Sequence, residues 1–180
     1  MSELYHHGVK GQKWGVRRYQ NPDGSLTAKG KQKLAEYKER ELKKLDSRYD
    51  IGKLDRKRTK LEDKYGSSSD PKKQLKITEA RYKQHKAEVM KFMESKAVRN
   101  MTFKDMDAEK TAVGKARVTN YLVDGLQAAF ISVMTGRPHI AISHTPSKDI
   151  KTEKRVSANT RLVVDREIRK VTGHTGRWHY

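Results

Sequence analysis

The chain has 180 residues, of which 35% are charged and 34% hydrophobic, and its formal net charge at pH 7 is +19. Because so few apolar residues support only a modest core, we expect elongated helices rather than a compact globule. The absence of cysteine excludes disulfides, thiolate metal sites and cysteine nucleophiles. A positive balance of this size indicates an anionic partner: a nucleic acid, an acidic protein or an anionic membrane surface.

The N-terminal residues lack the apolar stretch of a signal peptide. The most apolar segment, residues 118–134, contains Asn120, Asp124 and Gln127, so we expect an amphipathic helix there rather than a membrane span. The charges of residues 102–135 cancel, which predicts a buried or partner-facing element. These features predict a soluble protein, intracellular where it is made, that has no membrane partner.

The first thirty residues are dense in glycine, aromatic and basic side chains. The segment 21–24, Asn-Pro-Asp-Gly, is typical of a type I turn, because proline presets the backbone of the second position. The character of the side chains alternates along residues 14–19, and residues 25–27 follow the turn. This pattern predicts a short β-hairpin. Since an isolated hairpin is marginal in water, Trp14 and Leu26 would have to pack on another element.

Two charged helices are predicted next, over residues 28–65 and 71–100. Thr27 can cap the first, and Asp70 followed by Pro71 suits the start of the second. The loop after Gly66 is short, so the helices should be antiparallel neighbours in a helical hairpin or coiled-coil arm. Their predicted contact faces are the apolar stripes Leu34, Tyr37, Leu42, Leu45 and Tyr49; then, offset in register, Ile51, Leu54, Leu61 and Tyr65; and Leu75, Thr78, Tyr82, His85, Val89 and Phe92.

A third helix is predicted from the weak capping box of Thr102 and Asp105 to Thr135, where Gly136 and Pro138 end it. Its apolar face is Val118, Tyr121, Leu122, Gly125, Ala129, Val133 and Met134. The fold class is therefore mainly α, with a hairpin-like motif at the N-terminus. We divide the chain into a docking motif (1–30), a charged helical hairpin (31–101), an amphipathic helix (102–136) and a basic tail (137–180). In the tail we expect irregular structure through residue 158, then one short helix or strand over residues 160–171.

No pattern typical of an enzyme is recognisable. The glycine segment 24–31 has one residue too many between its glycines for a phosphate-binding loop, and Gln32 stands where serine or threonine would hold magnesium. His6 and His7 are adjacent and the other histidines are scattered, so zinc-ligand spacing is absent. Neither a nucleophile elbow nor a catalytic carboxylate pair is present. We therefore predict a protein that is not an enzyme and needs no metal or cofactor.

Residues 7–27, HGVKGQKWGVRRYQNPDGSLT, resemble a segment that recurs in minor structural and head-region proteins of tailed bacteriophages. The chain follows that pattern through Thr27 and Gly30, and departs from it at Lys33 and Leu34, where the pattern has an Arg-Tyr pair. The resemblance implies a phage virion or virion-assembly protein, located in the virion and made in the host cytoplasm. Because the segment occurs on otherwise unlike proteins, it also implies a portable docking element.

Our leading hypothesis is a minor structural or head-associated virion protein that docks on other virion proteins, contacts packaged DNA non-specifically and can form an oligomer. The motif's glycines would permit close backbone approach, Trp14 would anchor, and Arg17 and Arg18 would meet acidic groups or phosphates. The predicted docking residues are His7, Gly8, Gly11, Lys13, Trp14, Gly15, Arg17, Arg18, Tyr19, Asp23 and Gly24. One alternative is a non-specific nucleic-acid-binding protein of the infected cell, whose affinity would fall steeply with salt. Another is a membrane-surface factor that uses residues 118–134.

Overall fold

The computed structural model describes residues 18–135 and 147–175, which are mainly helical as predicted. They form helices α1 (Ala28–Arg48), α2 (Ile51–Tyr65), α3 (Pro71–Asn100), α4 (Phe103–Thr135), α5 (Ser147–Arg155) and α6 (Ala158–Thr172). Within these residues the β-structure is limited to an isolated antiparallel bridge between Gln20 and Leu26. None of the described helices is both long and apolar enough to cross a membrane.

Side-chain caps begin several helices at the predicted positions. The Thr27 hydroxyl caps α1, and the Asp70 carboxylate caps α3 by accepting a hydrogen bond from the Lys72 N–H at 2.9 Å. Thr102 and Asp105 form a reciprocal capping box before α4. The Thr102 N–H donates to Asp105 Oδ2 at 2.9 Å, and the Asp105 N–H donates to Thr102 Oγ1 at 3.2 Å. These caps satisfy N–H groups that have no partner inside their own helix.

The prediction of a single helix over residues 28–65 is wrong, because the chain breaks between α1 and α2. Helix α1 ends at Arg48, and the carboxylate of Asp50 starts α2 by accepting a hydrogen bond from the Lys53 N–H at 2.9 Å. The break falls where the two predicted apolar stripes change register. Asp50 therefore caps a new helix at the point where the two apolar stripes no longer lie on one face of a single helix.

Helix α3 runs antiparallel to the arm that α1 and α2 form. Arg81 of α3 pairs with Glu62 of α2 at 2.7 Å, Nε to Oε1. Further along, the Lys38 ammonium of α1 donates to the carbonyl of Arg99 at 2.8 Å. Because higher-numbered residues of α3 meet lower-numbered residues of the arm, the two run in opposite directions.

The buried face of α3 differs from the predicted stripe. Tyr82 is buried, but Leu75 and Phe92 are exposed, and His85 lies half-exposed beside Glu88. The residues of α3 that are buried are Ile77, Ala80, Tyr82, Ala87, Met90, Glu94 and Val98. Large apolar residues do not mark this face, because alanines and a glutamate occupy part of it. Helix α3 also packs against α1, α2, α5 and α6, so more than one of its sides is covered.

One cluster of the apolar core lies where α1 meets the turn from α3 into α4, and other buried apolar residues, such as Leu45 and Met90, lie further along α1 and α3. Tyr37, Met101 and Met106 form a buried cluster, against which Leu34 and Phe103 pack. The first apolar stripe of the sequence therefore faces the core with Tyr37 and Leu34.

The C-terminal region is more helical than predicted. Helix α5 lies within the stretch expected to be irregular, and the short element predicted over residues 160–171 is helix α6. The sequence of α5 has one apolar residue, Ile150, so no stripe indicated a helix there. Helix α6 packs on α3, where the Tyr82 hydroxyl donates to the carboxylate of Asp165 and the Lys86 ammonium donates to the same carboxylate at 2.9 Å.

Candidate nucleic-acid interface

The described part of the N-terminal motif forms the predicted turn. The Gly24 N–H donates to the Asn21 carbonyl at 3.0 Å, and the Asn21 N–H donates to the Ser25 carbonyl at 2.8 Å. The hydroxyl and the N–H of Ser25 donate to Asp23 Oδ1 at 2.7 and 2.9 Å, which lowers the pKa of Asp23. Gly24 has a φ of 84°, a left-handed conformation that favours glycine and commonly follows a type I turn in a three-residue hairpin loop.

Tyr19 holds this turn against α1 and α4. The Lys33 ammonium lies 3.8 Å from the centroid of the Tyr19 ring, and the Phe103 ring centroid lies 5.9 Å away. The Tyr19 carbonyl accepts a hydrogen bond from the Thr27 N–H at 3.2 Å. A Cβ at Gly30 would overlap that carbonyl oxygen, so only glycine permits the turn to lie this close to α1. This close approach gives a physical reason for glycine at position 30.

Four of the predicted docking residues lie in this turn or next to it: Arg18, Tyr19, Asp23 and Gly24. The Arg18 guanidinium is exposed and lies 5.5 Å from the centroid of the Tyr19 ring. The others lie outside the described residues: His7, Gly8, Gly11, Lys13, Trp14, Gly15 and Arg17. The docking role of the motif therefore stays a prediction.

A row of exposed basic side chains follows one face of α2. We name it the basic stripe: Lys53, Arg56, Lys57, Lys60 and Lys64. Their spacing places them within about 100° of the helix circumference and along about 16 Å of its axis. In the part of the chain that the structure describes, the ion pairs of α2 involve Arg58, Asp55 and Glu62. The basic stripe is thus not neutralised by an ion pair there.

The basic stripe has the dimensions of a short run of phosphates. One strand of B-form DNA carries a phosphate for about every 3.4 Å of helix axis, so a stripe of about 16 Å faces roughly five phosphates. The stripe contains neither aromatic nor amide side chains. It therefore offers mainly contacts to the phosphate backbone, which fix position, and lacks the amide side chains that read adenine.

Helix α3 extends this basic surface beside α2. Lys76 and Lys83 of α3 line, together with Lys57, an open groove of about 230 Å³ whose wall includes Leu54. Glu79 lies in the same groove, 3.9 Å from the Lys83 ammonium, and offsets part of the charge. The groove joins the basic stripe to two further cations, which widens the surface open to a polyanion.

A second group of charges is buried where α1, α3, α4 and α5 meet. We name it the ion cluster: Glu41, Glu94, Glu109, Arg48, Lys151 and Arg155. The three glutamates are at most 2% exposed. Arg155 Nη2 donates to Glu41 Oε2 at 2.7 Å and to Glu109 Oε1 at 2.6 Å, and the Lys151 ammonium lies 2.8 Å from Glu41 Oε1. Three cations match three carboxylates, as the burial of charge requires.

Hydroxyl groups complete the hydrogen bonding of the ion cluster. The Tyr37 hydroxyl donates to Glu109 Oε1 at 2.7 Å, and the Tyr49 hydroxyl donates to Glu94 Oε1 at 2.7 Å. The Thr152 hydroxyl donates to the same oxygen of Glu94 at 3.0 Å. Each carboxylate is therefore surrounded by donors, which is the condition for a buried polar network to stabilise a fold.

The pKa shifts of Glu41 and of Tyr49, which lies beside the ion cluster, follow from their surroundings. Burial alone would raise the pKa of Glu41, but hydrogen bonds from Lys151, Arg155 and Lys44 outweigh burial and bring this pKa to about 2. Burial, assisted by the hydrogen bond to Glu94, raises the pKa of Tyr49 to about 12. The carboxylate is thus ionised and the phenol protonated at neutral pH. No group of acidic or histidine side chains in the described part is placed to hold a metal ion, and the ion cluster serves to join four helices.

Sequence reasoning missed the ion cluster, although a signal for it is present. Glu41 follows Tyr37 by four residues and precedes Leu45 by four, so it occupies an interior position of the first apolar stripe. Glu94 and Glu109 stand in equivalent positions among the buried residues of α3 and α4. A glutamate inside an apolar helical stripe, rather than beside it, predicts a buried carboxylate that requires a cation.

The described residues thus define a mainly helical protein with an open basic surface and a buried structural ion cluster. Residues 1–21 match a family described as a family of unknown function, DUF7211. No curated protein and no solved structure matches the chain. The family match overlaps the N-terminal motif and carries no stated activity.

Proposed function

We propose that this chain is a non-catalytic structural protein of a tailed-phage particle that contacts the packaged DNA through the basic stripe. The phage setting depends on the resemblance of residues 7–27, and the docking of that motif on another virion protein belongs to the same proposal. The proposal also includes an elongated helical arm and the assembly of the helices into a larger particle. The DNA contact depends on the structure of α2.

The observation that carries the DNA contact is the alignment of five exposed cations on one face of α2 without ion pairs in the described part. Elsewhere in the described chain many lysines are paired, as Lys43 is with Glu39 at 2.8 Å. Cations that are solvated and aligned can release the counterions of a phosphate backbone on binding. Binding by this route is independent of sequence and sensitive to salt.

Fluorescence anisotropy with a labelled DNA duplex at several salt concentrations tests the contact. The variant replaces Lys53, Arg56, Lys57, Lys60 and Lys64 by glutamine. If all five meet phosphates, the wild-type protein loses roughly 500-fold in affinity from these contacts between 50 and 200 mM salt. The variant should bind far more weakly at low salt, and its plot of log affinity against log salt concentration should have a slope shallower by about 4.5.

A control with the same change of charge separates the stripe from net charge alone. Lys31, Lys96, Arg99, Lys104 and Lys115 are exposed and scattered over α1, α3 and α4. Their replacement by glutamine should leave most of the affinity and the salt slope in place. Equal losses in the two variants would show that total charge, not the stripe, governs binding, and would refute the assignment of the interface.

Quantitative mass spectrometry of purified particles tests the phage setting. A fixed stoichiometry in particles, with loss of the protein on DNA release, is the expected result for an internal DNA-associated component. Abundance in infected cells with absence from particles would instead support the alternative, a non-specific nucleic-acid-binding protein acting in the infected cell. Replacement of Trp14 by alanine should reduce incorporation, and unchanged incorporation would refute the docking role of the motif.

A further inference from the structure

The distal half of α4, residues 114–135, carries several large apolar side chains that the described chain leaves exposed. Among the residues of α4 whose burial the structure describes, Val113 is the last buried one. Beyond it the helix continues to Thr135, over about 33 Å at the usual rise per residue. The large apolar side chains Tyr121 and Leu126 are 80% and 72% exposed, and Val118, Leu122, Val123 and Met134 are exposed as well.

These exposed side chains are spread too widely for a single neighbouring helix to cover. At about 100° per residue, Val118, Tyr121, Leu122, Val123, Leu126 and Met134 span roughly 220° of the helix circumference. A helix that packs on one surface needs an apolar arc of only about 100°. Full burial of the distal half of α4 therefore requires at least two neighbours.

The charge of the distal half differs from that of the rest of the chain. Between Val118 and Thr135 the only charged residue is Asp124, whereas the whole chain carries +19. Copies of the chain repel one another across most of their surface, and this repulsion is absent along these residues. Residues 118–135 extend over about 26 Å, against a screening length of about 8 Å at physiological salt. Contacts made along most of this length therefore lie beyond the range of the charges on the basic body.

From this arrangement we propose that the distal half of α4 binds the same segment of two or more further copies of the chain, forming a helical bundle. Six exposed apolar side chains at on the order of 100 Å² each offer about 600 Å² per copy, derived from the transfer free energy of such side chains. A standard interface buries about 800 Å² of each partner. The six apolar side chains, together with the polar side chains between them, therefore offer about the area of one such interface, shared among the neighbours.

The sequence of the distal half supports a bundle of like helices. Val123, Leu126, Phe130 and Val133 follow the alternating three-four spacing of core positions in coiled coils. An acidic partner protein would be attracted to the basic body of the chain rather than to this nearly neutral segment. Identical helices, by contrast, match one another in length, apolar arc and lack of charge.

Light scattering on a sizing column, or sedimentation equilibrium, tests the proposal on the full chain. The protein should be free of nucleic acid and kept in salt high enough to prevent DNA from bridging copies. The expected result is a mass of at least three times 20.8 kDa, with dissociation on dilution. A monomer over the whole concentration range would overturn the proposal.

The disrupting variant carries Leu122→Glu and Leu126→Glu, and the matched control carries Phe92→Glu and Val171→Glu, which change equally exposed apolar residues of α3 and α6. The first should be monomeric, and the control should assemble like the wild-type protein. Circular dichroism must show the helix content of both to be close to wild type. If the glutamate variant loses helix, Leu122→Ala with Leu126→Ala provides a milder test, with an expected rise of at least tenfold in the dissociation constant of the assembly.

Other occupants of the surface would appear as distinct results. Sedimentation with vesicles of anionic or neutral lipid by a protein that stays monomeric in their absence would assign the distal half to a membrane surface and overturn the bundle. An assembly that survives both the glutamate and the alanine changes would place self-association elsewhere in the chain and equally overturn it.

Discussion

Arg155 and Glu109 are joined by two parallel hydrogen bonds, Nε to Oε2 at 2.9 Å and Nη2 to Oε1 at 2.6 Å. Both side chains are 2% exposed, and the same guanidinium also donates to Glu41. Only arginine provides several donors in one rigid plane, so a lysine at this position could not serve both carboxylates in this geometry. Arg155 therefore connects α5 to α1 and α4 at one point.

Replacement of Arg155 by methionine should destabilise the protein by about 3–5 kcal/mol, because it leaves Glu41 and Glu109 without their shared cation. Arg155→Lys should give a smaller loss. Urea unfolding monitored by circular dichroism measures both. The control, Lys154→Met, changes an exposed neighbour and should shift stability by no more than about 0.5 kcal/mol. If the Arg155→Met variant had the same free energy of unfolding as the wild-type protein, a structural role for the ion cluster would be contradicted.

The protein should lose stability in acid through Glu41. The pKa of this carboxyl is about 2 in the folded protein, against an ordinary value of 4.5. Its contribution, about 3 kcal/mol from a shift of this size, is complete above pH 4.5 and is lost as the pH falls from 4.5 through about 2, because the unfolded chain binds the proton first.

Unfolding free energies at pH 7, 4 and 3 for the wild-type protein and Glu41→Gln measure this effect. The difference between the two proteins should be largest at pH 7 and should narrow as the pH falls. A difference that stays constant with pH would show that Glu41 does not titrate in this range, contrary to its position among Lys151 and Arg155.

Gly30→Ala should separate the N-terminal turn from α1, because the new Cβ would overlap the carbonyl oxygen of Tyr19. The amide of Thr27, which donates to that carbonyl, should exchange with solvent at least tenfold faster, as measured by hydrogen exchange. Gly114→Ala is the control, since a Cβ at Gly114 meets no atom within 4 Å. It should keep the exchange rate of Thr27 and stabilise α4 by up to about 1 kcal/mol. Unchanged exchange in Gly30→Ala would refute the close packing.

Affinity for DNA should be nearly independent of base sequence at a fixed salt concentration. The basic stripe provides four lysine ammonium groups and the Arg56 guanidinium, which can meet phosphates, and it lacks amide side chains. Contacts to phosphates carry no sequence information directly. Competition between unlabelled duplexes of different composition should give affinities within about threefold. A preference of a hundredfold or more would show that arginine or lysine side chains of the stripe read base edges, and would contradict a contact directed at phosphates alone.

Local features of this fold could be predicted from the sequence, since their causes lie within a few residues. The turn at residues 21–24, the capping of α3 by Asp70 and the capping box of Thr102 and Asp105 are examples. The mainly helical fold class could also be predicted, from the composition of the chain and from the spacing of its apolar residues. The spacing of the basic stripe was also available in the sequence, as basic residues recur on one face of α2.

Features that depend on distant residues were not predictable. The buried face of α3 is decided by four surrounding helices, so its alanines and Glu94 are buried while Phe92 is not. The ion cluster required knowledge that Arg155 meets Glu41 and Glu109 across long separations in sequence. The periodicity of the sequence can identify a glutamate at an interior position. It does not identify the cation that pairs with that glutamate.

The order in which the ribosome makes this chain has a consequence for its folding. Arg155 lies 114 positions after Glu41 and 61 after Glu94, so all three buried glutamates are synthesised before Lys151 and Arg155. Until then these carboxylates lack two of the cations that permit their burial, and water must remain around them. The nascent helices can form early, but their packing can become dry only near the end of translation. A messenger truncated before codon 151 would accordingly yield a helical chain with an open, hydrated interior.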